Sequence, residues 1–198
     1  MKTGLFFGSF NPVHIGHTAI ANYFVEYAGL REVWFVVSPH NPLKERASLL
    51  AEYHRLELVR LALEDDPRFR ASDIEFRLPK PSYTIDTLAY LTEKYPKREF
   101  VLIMGGDNLV TLHKWKNFEE LVRRYEIVVY PRKGSDTGTL HPSLEKLIPK
   151  AHISVTEAPE MEISSSFLRR AIREGKDMRF FFREPVWKYI RDMHFYEK

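Results

Sequence analysis

The 198 residues carry 30 Lys and Arg against 27 Asp and Glu, a net charge of +3, and 44% of them are apolar, enough for one folded unit with a sizeable core. With a pI near 9.0 and its basic residues scattered among acids, the chain does not present the stripe of charge a nucleic-acid groove needs, and no apolar run is long enough to span a bilayer. The absence of cysteine excludes disulfides, thiol catalysis and cysteine-ligated zinc.

In chain order, residues 3–7 read as a buried strand, residues 8–12 as a tight turn, and residues 14–27 as a helix with Ile15, Ile20 and Phe24 inward. With a strand starting almost at Met1, a signal peptide is not expected, and the cytoplasm is the expected location. The apolar run over residues 32–38 is a strand of the kind buried on both faces of a parallel sheet, which completes a βαβ unit. Pro39 and Pro42 make the next segment a loop at that strand's carboxyl end, where Lys44 can reach a cleft or stay a solvated lysine. Residues 49–63 have helical apolar spacing, and His54 and Arg55 within them are expected at the surface or as caps. A strand over residues 69–76 leads to a loop with Pro79 and Pro81, and Ser82 or Thr84 is expected to cap a helix over residues 85–95. Residues 100–104 are a second buried strand, stopped by Gly105, Gly106 and Asp107, and residues 109–122 are an apolar helical stretch in which Trp115 would ordinarily be core. Residues 125–130 and 152–156 are further strands, with a polar stretch at 135–149 as the expected mobile excursion. A helix opening at the serines 164–166 runs to about Arg173, and another covers residues 186–194.

Chemistry concentrates at the first turn. Strand, Gly8-Ser9-Phe10-Asn11-Pro12 and helix together make a loop suited to phosphate, because the first N–H groups of a helix are unpaired and carry partial positive charge. Gly8 allows close approach to the backbone, and Pro12 stiffens the entry. His14 and His17, three apart, face the same way and can donate hydrogen bonds to phosphate oxygens. A metal site at this pair lacks a third ligand nearby, so no residue is assigned to a protein-held metal. Asp107, directly after a strand, suits ribose hydroxyls or a helix N-cap, and both roles can hold together.

The His14-Ile15-Gly16-His17 element resembles the signature of the nucleotidylyltransferase superfamily, in which a Gly-rich loop and a His-x-Gly-His turn hold the triphosphate of ATP or CTP. Over nearly its whole length the chain is similar to one subfamily, the bacterial nicotinate mononucleotide adenylyltransferases of NAD synthesis. The matching segments are residues 8–17, Asn41-Pro42-Leu43-Lys44, residues 81–88, Met104-Gly105-Gly106-Asp107 with Trp115, Pro131-Arg132, and residues 163–169. Departures are Phe7 where glycine is usual, Asn11 where the family often has Asp, and Ser166, which keeps the hydroxyl of the commoner Thr.

The resemblance implies an α/β fold of Rossmann-like, doubly wound type, with a mostly parallel sheet flanked by helices. It implies one domain over residues 1–198 with a small helical portion from about residue 164. The implied partners are ATP and nicotinate mononucleotide, with no nucleic acid and no membrane, and with room for a homo-oligomer. His14, His17, Lys44 and Arg169 would act on the triphosphate. Gly8, Ser9, Phe10, Gly105, Asp107, Ser165 and Ser166 would bind ATP, while Tyr83, Thr84, Trp115 and Arg132 would bind the mononucleotide. Mg2+ would be carried by the ATP phosphates. A sibling enzyme with a nicotinamide mononucleotide or phosphopantetheine acceptor, a non-catalytic nucleotide sensor, and a dinucleotide-binding oxidoreductase are the alternatives. The last lacks Gly-x-Gly-x-x-Gly in the first turn.

Overall fold

A computed structural model describes residues 1–39 and 49–197. Its strands are β1 (Lys2–Gly8), β2 (Glu32–Val37), β3 (Phe69–Ser72), β4 (Glu99–Gly105), β5 (Glu126–Tyr130) and β6 (Ile153–Val155). They pair in parallel in the order β3-β2-β1-β4-β5-β6. The helices are α1 (Ile15–Tyr27), α2 (Glu52–Leu63), α3 (Thr84–Lys94), α4 (Gly106–Thr111), α5 (Phe118–Arg124), α6 (Pro142–Glu145), α7 (Ser165–Arg173) and α8 (Glu184–Asp192). This is the expected doubly wound α/β architecture, with every sheet pairing among the described residues parallel.

Successive side chains of a strand point to opposite faces, and here both faces are covered. Phe6 of β1 joins a core with α1, α2, α7 and α8, while its neighbour Leu5 joins a second core with α3, α4, α5 and Leu144 of α6. Burial on two sides is why β1, β2 and β4 read as continuous apolar runs. The chain runs outward from β1 to β3, then returns to lay β4 on β1's other side. At that reversal the connections leave in opposite directions, and a crevice opens beyond the strands' carboxyl ends.

Four local expectations are corrected. The predicted strand over residues 69–76 ends at Ser72, the last residue paired with β2, and continues as a 3-10 turn over Ile74–Phe76. The predicted helical stretch 109–122 is α4, a 3-10 turn over Leu112–Lys114, and α5. It breaks at Trp115, which is extended (φ -80°, ψ 149°), and α5 restarts after Asn117, whose φ of 49° is a left-handed conformation that asparagine tolerates better than most residues. The polar stretch 135–149 holds α6 and a 3-10 turn, anchored by a fully buried Leu144. Neither Ser82 nor Thr84 caps α3; the N-cap is Tyr83, and no side chain caps the helix start. No helix among the described residues is long and apolar enough to cross a membrane.

Arg55 is the largest departure from expectation. It shares a helical stripe with Leu58, Val59 and Ala62, is 0% exposed, and spends its guanidinium on four backbone carbonyls. Nε donates to Leu50 (2.9 Å), Nη1 to Ser9 and Ser38 (both 2.7 Å), and Nη2 to Pro39 (2.8 Å). Burial lowers its pKa, yet a guanidinium stays protonated. One planar cation thus fixes the first turn, the end of β2 and the approach to α2. Its neighbour His54, predicted alongside it, meets the Tyr189 hydroxyl at 2.9 Å and joins α2 to α8. Arg55→Met should destabilise the fold by at least about 3 kcal/mol, since each buried carbonyl left unpaired costs roughly 1–3 kcal/mol. Arg55→Lys should recover little, because an ammonium lacks the planar fork. Urea denaturation of both variants measures this.

Candidate active site

The crevice at the β1/β4 reversal is a cleft of about 420 Å³. The turn after β1, the start of α3, the residues after β4, Arg132 after β5 and the start of α7 all border it. Of the predicted site residues, Gly8, Ser9, Phe10, His14, His17, Tyr83, Thr84, Asp107, Trp115, Arg132, Ser165, Ser166 and Arg169 line it. Gly105 does not; it is the buried last residue of β4 and the N-cap of α4. Lys44 lies outside the described residues.

The first turn is clamped from two directions. Behind it is Arg55; from the C-terminal part come three more contacts. Ser165 Oγ donates to the Pro12 carbonyl (2.9 Å), Arg169 Nη1 donates to the Asn11 carbonyl (2.7 Å), and the Tyr196 hydroxyl donates to Asn11 Oδ1 (2.9 Å). Asn11 Oδ1 also accepts from the Leu50 N–H at 3.2 Å, so this side chain is a structural acceptor joining three segments. Two glycines of this turn and helix start also sit against its rings. A Cβ on Gly8 would lie 2.8 Å from the Phe10 ring, and one on Gly16 would lie 3.1 Å from the His14 ring. At both positions the space is filled by the chain's own rings.

His14 is the N-cap of α1, and His17 is its third residue. Their rings lie 3.8 Å apart at 37°, facing the same way as expected. The His14 N–H donates to His17 Nδ1 at 3.2 Å, which leaves the proton of a neutral His17 ring on Nε2. The His17 ring meets Phe10 edge-on at 5.2 Å. His14 is only 5% exposed; burial first, and the charge of Arg132 second, push its pKa down to about 3. It is therefore a neutral imidazole at neutral pH. Arg132 itself lies 3.9 Å from Asp107, and its Nε is buried with no hydrogen-bond partner among the described residues.

At the start of α7, Ser164 is the cap, accepting from the Phe167 N–H at 3.2 Å, while Ser166 Oγ accepts from Arg169 at 3.3 Å. Asp107 is the second residue of α4 rather than its cap. On the opposite wall Lys116 sits 4.7 Å over the Tyr83 ring and pairs with Asp86 at 2.8 Å, so it braces Tyr83 against α3. Trp115 is half-buried, at once packed on the second core and exposed to the cleft. Sequence reasoning missed Lys114, Lys116, Tyr130, Ser38 and Glu75 in the lining. Glu75 is 2% exposed and had no signal beyond a carboxylate between two apolar residues.

A parallel sheet reversing at β1, with a His-x-Gly-His turn and a serine-rich helix start on one cleft, defines a nucleotidyltransferase. Residues 5–171 match the family model described as cytidylyltransferase-like. The chain belongs to that family, within its nicotinate-nucleotide adenylyltransferase branch: it is 50% identical over the full length of both chains to a protein of Flavobacterium psychrophilum named as a probable nicotinate-nucleotide adenylyltransferase. A Bacteroides fragilis protein of the same name is 50% identical over 96% of this chain and 90% of its own. In fold, the chain resembles the nicotinic acid mononucleotide adenylyltransferase of Plasmodium falciparum complexed with NaAD. That match has a TM-score of 0.77 at 19% identity, covering 99% of this chain and 97% of the other.

The buried neutral His14 has a consequence for stability. The unfolded chain protonates this ring below its ordinary pKa of 6.5, whereas the folded chain holds it neutral down to about 3. Between those values the unfolded state binds more protons, so stability falls as pH falls, by about 1.4 kcal/mol per unit from this group. Denaturation curves at pH 7 and pH 5 should show a smaller acid loss for His14→Gln than for the wild type.

Proposed function

We propose that this enzyme transfers the adenylyl group of ATP to nicotinate mononucleotide, giving nicotinate adenine dinucleotide and pyrophosphate. One observation carries the reading: a single cleft has two unlike walls. One wall holds the first turn, His14, His17, Ser165, Ser166 and Arg169, suited to a polyphosphate; the other holds Tyr83, Thr84 and Trp115, suited to a flat ring with a small polar group.

The acceptor's own phosphate is the nucleophile, attacking the α-phosphorus in line as the bond to the pyrophosphate oxygen breaks. It is already anionic near pH 7, so no protein nucleophile or strong base is required, and positioning with charge stabilisation can carry the catalysis. In this reading His17 donates from Nε2 near the α-phosphate, neutral His14 lends a second directional contact, and Arg169 with the start of α7 meets the β- and γ-oxygens. The roles expected of Gly8, Ser9, Phe10, Gly105 and Asp107 toward adenosine, and of Lys44 toward phosphate, belong to the same proposal. The nicotinate carboxylate accepts from backbone N–H groups at residues 82–85, where no side chain caps α3. A divalent ion accompanies the nucleotide, with Mg2+ as the proposed one. In this reading Mg2+ would be borne on the ATP phosphates and water. We place the enzyme in the cytoplasm.

Pyrophosphate release from ATP, measured with each candidate acceptor, tests the reading. Nicotinate mononucleotide should give a far higher kcat/KM than its amide, because the amide brings donors against backbone donors. Equal values for the two, or no release with either, would refute it. His17→Ala should lower kcat by roughly 10²–10³, the loss that follows removal of one donor to a developing charge. A folded variant with near-normal kcat would remove His17 from the chemistry.

A further inference from the structure

The buried carboxylate of Glu75 is not used by the reaction as written, yet it borders the cleft. It accepts from the Thr87 hydroxyl at 2.9 Å, from the Ser82 hydroxyl at 3.2 Å, and from the Ser38 hydroxyl. These three donors come from different elements: the end of β2, the loop before α3, and the first full turn of α3. No cation is among its partners in the described residues, and burial pushes the carboxyl up from its ordinary value. A buried carboxylate bound only by hydroxyls is costly to maintain unless those hydroxyls need it.

The connection reaches further. The Ser38 N–H donates to the Gly8 carbonyl at 2.9 Å, so the phosphate turn, the end of β2, Glu75 and the start of α3 form one continuous hydrogen-bonded chain. We propose that Glu75 is a positioning residue that holds the acceptor wall, residues 82–87, at a fixed spacing from the phosphate turn, and so aligns the mononucleotide phosphate with the α-phosphorus. This rests on the reaction proposed above. Gly8 is tied to Ser38 through the backbone, and the turn is separately held by Arg55 and Arg169. Loss of Glu75 therefore releases the acceptor wall and leaves the ATP wall in place. A misplacement on the order of 1 Å can cost about 10²-fold in rate.

The test compares Glu75→Ala and Glu75→Gln with the wild type, reading the KM for each substrate and ATP affinity by calorimetry without acceptor. Glu75→Ala should lower kcat/KM for nicotinate mononucleotide by about 10- to 100-fold while ATP affinity stays within about twofold. Glu75→Gln should fall between, since it keeps one acceptor oxygen and Thr87 can turn toward the Tyr83 carbonyl, 3.3 Å away. If the alanine variant does not fold, the glutamine variant decides, with about a threefold or larger loss toward the mononucleotide alone. An equal loss toward both substrates, or none toward either, overturns the proposal. A wild type inert with nicotinate mononucleotide overturns the reaction and Glu75's role together; an active wild type with indifferent variants overturns Glu75's role alone.

Discussion

Four backbone carbonyls turned onto one buried guanidinium are the constraint on which the cleft depends. Among the described residues the carbonyls of Ser9, Ser38, Pro39 and Leu50 find their donor in Arg55, and each would be left unpaired without it. An arginine suits this task because its donors lie in a plane and point in several directions from one centre. It also leaves a full positive charge behind the turn, with no carboxylate among its hydrogen-bond partners in the described residues. The second clamp, from Ser165, Arg169 and Tyr196, closes on the same turn from chain positions more than 150 residues away. Under the proposed function, a loop that meets a polyphosphate is thereby held in place before any ligand arrives, which is where binding energy would otherwise be lost to ordering.

The parts of this structure legible in the sequence are those governed by local period. β1, β2, β4 and β5 show as apolar runs because both faces of the sheet are covered, and α1 and α2 show as stripes. The candidate site was legible where it coincides with an element boundary: the turn after β1, the residues after β4 and the serines opening α7. What escaped depends on long-range partners. Arg55 lies on the apolar stripe with Leu58, Val59 and Ala62, and that position was a usable hint; the carbonyls that neutralise its burial come from segments invisible to a helical pattern. Glu75 looked like one residue of a strand, and only the meeting of Ser38, Ser82 and Thr87 makes its burial tolerable. The helix that apolar spacing alone would have continued breaks at the extended Trp115, and an asparagine between Lys116 and Phe118 is a permissible left-handed point from which α5 restarts. Trp115 shows why its two readings could not be separated in sequence: it sits at the extended break itself, half against the core and half on the cleft.

The histidine pair shows how burial divides labour at a phosphate site. His14 begins with its pKa near 3, held there by burial and by Arg132. A phosphate arriving within about 4–6 Å would raise it by about 1–3 units, which still leaves the ring neutral at pH 7. His14 can then orient oxygens through a hydrogen bond, but it neither supplies net charge nor exchanges a proton with the leaving group at neutral pH. Beside a divalent ion and Lys44, the positive charge that the proposed attacking phosphate and departing pyrophosphate require is supplied by groups that keep their protons under burial. Arg132 and Arg169, both on the cleft, meet that condition because a guanidinium is effectively always charged. Under the proposed reaction the two kinds of residue are therefore not interchangeable: the His14 imidazole sets direction, and the guanidiniums carry charge.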